Sequence, residues 1–249
     1  MWIATFDPYE TINTLLIVEF VSEPEYILGI DIGTSSTKSV LFDLEGREMG
    51  KRAIAYPLYA PVPGVAEQEP AEIFAAVVQT VRRVIVDHAI QPQSILALSF
   101  SAAMHSVIAI DASGHLLTRC FTWADNRSAK WAQAIRQTGH GFEIYQRTGT
   151  PIHSMSPLVK LVWLRQEHPD IFAQADKFIG IKEYVLYRMF QRFVVDTSIA
   201  SATGLLNLAT HTWDELALTT AAITTHHLPE LVPPTEISKA SKTCSSILN

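Results

Sequence analysis

The sequence predicts an α/β fold built on a mixed sheet, on three observations. Two runs rich in Ile, Val and Leu, 26–32 and 38–44, flank a short hydroxylic turn, the mark of an antiparallel strand pair. A third, more polar strand follows within 45–58, after a turn at Glu45-Gly46. Beyond it, segments with helical spacing alternate with short apolar runs, as when helices are laid against a sheet. With 249 residues, 48% of them hydrophobic, the chain is long enough to bury a sizeable core, and one domain over 25–235 is expected.

The first strand carries Asp31 near its end and leads into Gly33-Thr34-Ser35-Ser36-Thr37, with Lys38 just past the turn. Small residues in such a turn present backbone N–H groups and hydroxyls with little bulk, which suits phosphate oxygens. The same composition also serves an ordinary hairpin whose Asp bonds its own turn, and the residues alone leave both readings open.

A Pro/Gly loop, "VPGVAEQEP" (62–70), precedes a helix from Pro70 to His88, where Ile73, Phe74, Val77, Val81, Val84 and Ile85 recur at helical spacing. "SILALSFS" (94–101) and "HSVIAID" (105–111) read as strands, and 126–137, 156–168 and 182–190 as helices. "FVVDTS" (193–198) is a last strand, one short helix follows Trp213, and apolar periodicity ends at Leu231. His226 and His227 read as loop residues, and Lys160 as a solvated position on its helix.

A formal net charge of -6, with no Lys/Arg cluster, argues against nucleic acid as a partner. Cys120 and Cys244 match no metal spacing, so a reduced, cytoplasmic setting is expected. "INTLLIVEFV" (12–21) is too short to span a bilayer, and Asp7 and Glu10 stand where a secretion signal would be basic, so no membrane partner is expected. Residues 1–24 read as an atypical N-terminal arm or extra strand, and 236–249 as an atypical or disordered tail.

Four further stretches occur in order with the first: "SFSAAMHSVIAID" (99–111), "FTWADNRS" (121–128), "RTGTPIHSMSPLVKLVWL" (147–164) and "VVDTSIASATGLLNL" (194–208). Together with "GIDIGTSSTKSVLFD" they resemble the N-terminal domain of the FGGY family of carbohydrate kinases. That family lies within the actin, hexokinase and heat-shock ATPase superfamily, with its ribonuclease-H-like core. The wording "AAMHSVIAID", "TWADNRS" and "GTPIHSMSPL" is most similar to the gluconate kinases of the family.

The resemblance implies an enzyme that moves the γ-phosphoryl group of ATP to a hydroxyl of a sugar or sugar acid, D-gluconate first, with Mg2+. It implies Asp196 as catalytic base, although an Asp before Thr-Ser, taken alone, is more often a helix N-cap. Asp31 becomes the magnesium anchor and Gly33, Thr34, Ser35, Ser36 and Lys38 the nucleotide phosphate site. Met104, His105, Trp123, Asp125, Arg127, His153 and Ser154 become the substrate pocket; read alone, they are core filler, a packed Trp, helix caps and loop residues. Asp125 and Arg127 either shape the sugar site or pair with each other, and an Arg suits the carboxylate of gluconate.

Members of that family have two domains with the active site between them, and this sequence reaches Asn249 near where the second would begin. The expectation is a truncated product without the C-terminal nucleotide-binding domain. Such a chain would be a poor kinase alone, with an apolar domain-facing surface open to self-association or pairing. An inactive sugar-binding remnant, a kinase for xylulose or glycerol, and a filament-forming actin relative are the rivals. The favoured reading requires Asp31 and Asp196 to converge on one crevice.

Overall fold

The computed structural model describes residues 25–236. Its main sheet has the order β3-β2-β1-β5, from β1 (Tyr26–Ile32), β2 (Ser36–Asp43), β3 (Glu48–Ala55) and β5 (Ile95–Ala102). β1 pairs antiparallel with β2, β2 antiparallel with β3, and β1 parallel with β5, so the sheet is mixed as expected. Alternation assigns the faces: Leu28, Ile30 and Ile32 of β1 and Thr37, Ser39 and Leu41 of β2 are buried together, leaving Asp31 and its register partner Lys38 on the opposite face.

Helix α1 (Pro70–Asp87) covers the buried face, starting with Pro70 where its missing N–H costs nothing. It buries Ile73, Val77, Val81, Val84 and Ile85 against the sheet, and Thr80 receives the Ser39 hydroxyl at 2.8 Å, so this buried polar pair is satisfied. A second core gathers around α4 (Pro157–Glu167), with α2 (Ala129–Gln137), α3 (His140–Thr148), α5 (Pro169–Gln174) and α8 (Glu215–Ala221) about it. α4 is buried from Pro157 to Leu164, which is why its sequence is apolar all round.

The later strands do not widen the main sheet. β6 (Ile108–Ile110) pairs with β8 (Lys177–Ile179), β9 (Val194–Asp196) pairs in parallel with β12 (Glu230–Val232), β4 (Glu67–Gln68) with β7 (Cys120–Phe121), and β10 (Leu206–Asn207) with β11 (Thr212–Trp213). Helix α6 (Ile181–Phe190) packs beside β5 and β9, and α7 (Thr197–Ser201) follows β9 directly.

Two expectations shift. β2 begins at Ser36 rather than residue 38, so the turn is Gly33–Ser35 alone. The helix expected from 126 starts at Ala129, because Asn126, Arg127 and their neighbours are held in a turn by side-chain bonds described below. The sequence reading assigns no element to α3; at its Gly141 a Cβ would stand 2.5 Å from the Ile135 carbonyl oxygen, so close helix packing requires the glycine. The expectations for 1–24 and 237–249 lie outside the described residues.

The two faces of these elements make a stability contrast measurable by urea unfolding. Leu28→Ala, at a fully buried position of the central strand, is expected to cost about 2–5 kcal/mol. Val86→Ala, on the outer face of α1 at 73% exposure, is expected to change stability by less than about 0.5 kcal/mol.

Candidate active site

Parallel pairing of β1 and β5 brings their C-terminal ends to one edge of the sheet, level at Asp31 and Ser101. Ala103 N–H donates to the Ile32 carbonyl at 2.8 Å, so the chain leaving β5 starts beside the turn leaving β1. The Gly33–Ser35 turn and the Met104-His105 corner, about 70 residues apart in sequence, are neighbours for this reason.

The turn is held by its carbonyls. Gly33 O accepts Tyr56 OH at 2.6 Å, Thr34 O accepts Gln68 Nε2 at 2.7 Å, and Gly33 N–H closes the hairpin on Ser36 O at 3.0 Å. A Cβ on Gly33 would sit 3.1 Å from that same oxygen, tight enough to push the turn open. Thr34 Oγ1 also accepts the Trp123 indole N–H at 3.0 Å, which joins the turn to the 121–128 segment. Ser36 and Lys38 belong to β2, with Lys38 exposed directly across the ladder from Asp31. Asp31 is half-buried beside the turn, and a single such carboxylate suits magnesium held through water.

Asp125 and Arg127 resolve into a pair with each other. Arg127 Nη2 lies 2.7 Å from Asp125 Oδ2 and 2.5 Å from Glu67 Oε1, and the guanidinium lies over the Phe121 and Trp163 rings. Asp125, 1% exposed, also accepts the Ala66 N–H. Arg127 Nε and Nη2 are thereby engaged within the protein while the side chain stays 24% exposed, and of the two expected alternatives the structure shows the pair with Asp125. Burial alone would push its pKa down, but the hydrogen bonds and charges of Asp125 and Glu67 outweigh this and raise it.

The 153–155 loop is stitched to the same segment. Ser154 Oγ donates to Asn126 Oδ1 at 2.8 Å, Ser128 Oγ donates to Ser154 O at 2.9 Å, and Met155 N–H donates to His153 Nδ1. Lys160, expected on a solvated face, is instead 1% exposed and donates to the Ser154 and Met155 carbonyls at 3.1 and 2.6 Å. Its place within the apolar run "PLVKLVWL" was the available signal: a helix buried all round has no solvated face to offer.

Met104 is 46% exposed, and His105 takes φ 67°, a strained conformation for a non-glycine residue. The His105 ring meets the Ala202 carbonyl and has its Nδ1 buried without a partner; burial, with Lys160 and His153 nearby, pulls its pKa below the usual imidazole range. Both residues line an apolar cavity of about 50 Å³ that Val195 and Ile199 also border. Asp196, between them in sequence, does not line this cavity. Its Oδ1 caps α7 through the Ile199 N–H at 3.1 Å, and its Oδ2 lies 2.5 Å from Lys182 Nζ. Burial pushes the Asp196 carboxyl up, but the Lys182 hydrogen bond and charge, with the Ile199 N–H, hold it below its ordinary range.

Asp31 is level with Ser101, and Asp196 lines a cavity of about 180 Å³ with Leu98, Ser99 and Phe100. Asp31 lines neither that cavity nor the one at Met104-His105, so these cavities do not bring together the two carboxylates expected to converge on one crevice. Trp123, Thr34, Asp125, Arg127, Ser154, Lys160 and His105 form one connected neighbourhood. His226 and His227 lie elsewhere, on Asp176 and Thr224.

The model of the FGGY family of carbohydrate kinases, N-terminal domain, matches residues 26–246. A gluconokinase of Bacillus subtilis is 53% identical over 212 residues, 85% of this chain and 41% of the relative. Among solved structures, a gluconate kinase from Lactobacillus acidophilus superposes with a TM-score of 0.84 at 37% identity, covering 90% of this chain and 45% of that one. A ligand-bound xylulose kinase from Lactobacillus acidophilus gives 0.84 at 38% identity, with the same coverage. The chain spans under half the length of these relatives.

Two buried ionisable side chains here impose a pH dependence on stability. Burial pulls Lys160 down to about 7 from 10.5 and pushes Glu183 up to about 7 from 4.5, against the Gly180 N–H that its Oε2 accepts at 2.7 Å. The folded state holds the extra Glu183 proton between pH 4.5 and 7, so stability falls as pH rises through that window. It lacks the Lys160 proton between 7 and 10.5, so stability rises there. The urea midpoint is expected to pass through a minimum near neutrality; Glu183→Gln should flatten the acid side and Lys160→Met the alkaline side.

Proposed function

The chain belongs to the FGGY family of carbohydrate kinases, as its N-terminal domain, and from that premise we propose that it forms the sugar-binding part of an ATP-dependent kinase whose acceptor is a sugar acid, D-gluconate. What supports the reading is an ionised, half-buried Asp196 at the end of β9, whose chain neighbours Val195 and Ile199 border the cavity that Met104 and His105 line, while Asp196 itself lines the cavity with Leu98, Ser99 and Phe100. The likeness to gluconokinases supports gluconate among the family's acceptors.

Phosphoryl transfer needs a carboxylate that takes the acceptor's proton as its oxygen bonds to phosphorus and the bond to ADP breaks. Asp196 is assigned that duty. A carboxylate kept ionised near neutrality is ready to accept the proton, and its moderate basicity suits a reaction in which the proton moves late. Met104, His105, His153 and Ser154 are assigned to the acceptor. Trp123, Asp125 and Arg127 frame the pocket from behind, and Lys160 holds the 153–155 loop. The turn Gly33–Ser35, with Ser36 and Lys38, is assigned to the phosphates of ATP, where small residues and fixed carbonyls leave room for close approach. Asp31 would hold magnesium through water, and that ion would offset charge on the transferred group. Positioning and charge stabilisation supply most of the rate in such reactions, so nucleotide contacts from the rest of a family member's length belong to the same proposal.

Calorimetric titration of the chain with D-gluconate, D-xylulose and glycerol tests the acceptor: gluconate should bind at least about tenfold more tightly than the others. A reversed order transfers the assignment to another sugar. Where phosphoryl transfer to gluconate is measured by ADP release, Asp196→Asn should lower it about 100- to 10,000-fold while gluconate affinity is retained. Turnover surviving that change removes Asp196 from the chemistry.

A further inference from the structure

Two residues lining the apolar cavity of about 50 Å³ beside Met104 each carry a buried polar atom that no described group satisfies: His105 Nδ1 and Glu183 Oε1. They reach the cavity from different elements, His105 from the corner after β5 and Glu183, 2% exposed, from the first turn of α6. Burying such atoms unpaired is costly, and folded proteins meet them with protein groups or with ordered water.

The other polar groups here are engaged. Glu183 Oε2 accepts the Gly180 N–H at 2.7 Å, Ser106 Oγ accepts the Ile181 N–H at 2.9 Å, and Thr203 Oγ1 donates to the Ala200 carbonyl. Lys182 also borders the cavity, with its ammonium on Asp196 Oδ2. Near His105, Lys160 is held by the Ser154 and Met155 carbonyls, and His153 by the Met155 N–H. None of these groups meets Nδ1 or Oε1.

The His105 ring faces the Ala202 carbonyl, which can only accept, and burial favours the neutral imidazole. Its single proton therefore belongs on Nε2, and Nδ1 is left as an acceptor. Glu183 Oε1 accepts when the carboxyl is ionised and can donate when it is protonated. A water suits both states. One of its hydrogens goes to Nδ1, and it either donates the other to the carboxylate or accepts the carboxyl O–H. Water requires roughly 10–15 Å³ of such space and at least two polar partners, and the cavity provides both.

We infer that this cavity is a buried water site, in which one ordered molecule joins Glu183 Oε1 to His105 Nδ1 and makes Glu183 a positioning residue for the His105 ring. The ring is then held on both nitrogens, at a residue whose backbone is already strained at φ 67°. The consequence for the acceptor rests on the assignment of His105 made above: its orientation at the Met104 corner is set from inside the protein, before a sugar arrives.

Crystals of the unsubstituted chain, with and without xenon under pressure, test the site directly. Density is expected within about 2.6–3.2 Å of both Nδ1 and Oε1, undisturbed by xenon. A cavity that holds no density, that touches only one of the two atoms with it, or that takes xenon as dry apolar cavities do, overturns the inference. In the chain labelled with ¹⁵N-histidine, the His105 signals, identified by their loss in His105→Gln, should show the proton on Nε2. Glu183→Met should shift the Nδ1 signal, while Glu183→Gln, which keeps an acceptor for Gly180 and a donor for the water, leaves it in place. A proton on Nδ1, or an Nδ1 signal that the Met variant does not move, overturns the inference; if that variant does not fold, the tautomer and the density decide. Gluconate affinity separates this site from the acceptor assignment: Glu183→Met is expected to weaken binding about threefold to tenfold. A moved Nδ1 signal with unchanged affinity upholds the water site and withdraws His105 from the acceptor.

Discussion

The parallel pairing of β1 with β5 is the constraint on which the site depends. Strands running the same way finish at the same edge, and every loop leaving them begins there. The register sets Asp31 beside Ser101, and the Ala103 N–H on the Ile32 carbonyl carries the pairing past the last strand residues. An antiparallel neighbour would have sent the Met104-His105 corner to the far end of the sheet. A slip of one residue would have turned Asp31 into the apolar layer under α1, where an unpaired carboxylate is costly.

Around that edge the side chains form a frame built largely of partners for one another. Tyr56 and Gln68 hold the turn, Trp123 ties the turn to the next segment, and Asp125, Arg127 and Glu67 lock that segment against two aromatic rings. Lys160 and Ser128 then pull the 153–155 loop into place through one shared carbonyl. Such a network orders the pocket before any ligand arrives, which lowers the conformational cost of binding. The burial of Lys160 and Glu183 belongs to this economy: both are charged residue types placed where geometry, and not hydration, decides their state.

Much of this was legible in the sequence. The alternating strands at 26–32 and 38–44, the helix from Pro70 and the helix after Trp213 follow from periodicity and caps. The Asp31, Met104-His105 and Asp196 stretches stood out through motif order. Local signals failed where tertiary contacts overrule them. Residues 126–128 look helical and are held in a turn by Asp125 and Ser154. Lys182 gave no signal, since nothing near it in the chain marks the carboxylate that it meets 14 residues later. Pairings of that kind exist only once α6 and β9 have docked.

Asp196 caps α7 with the same carboxylate that the proposal gives to chemistry, and this has a consequence for inheritance. α7 leads to Thr203, whose carbonyl receives both the Leu158 N–H and the Ser156 hydroxyl at the head of α4. A lineage that lost catalysis would still feel pressure to keep an acceptor at this position, because drift there frays a helix and loosens the one behind it. Retention of the aspartate in a descendant is therefore a poor witness to activity, and its neighbours in the pocket are the more informative record.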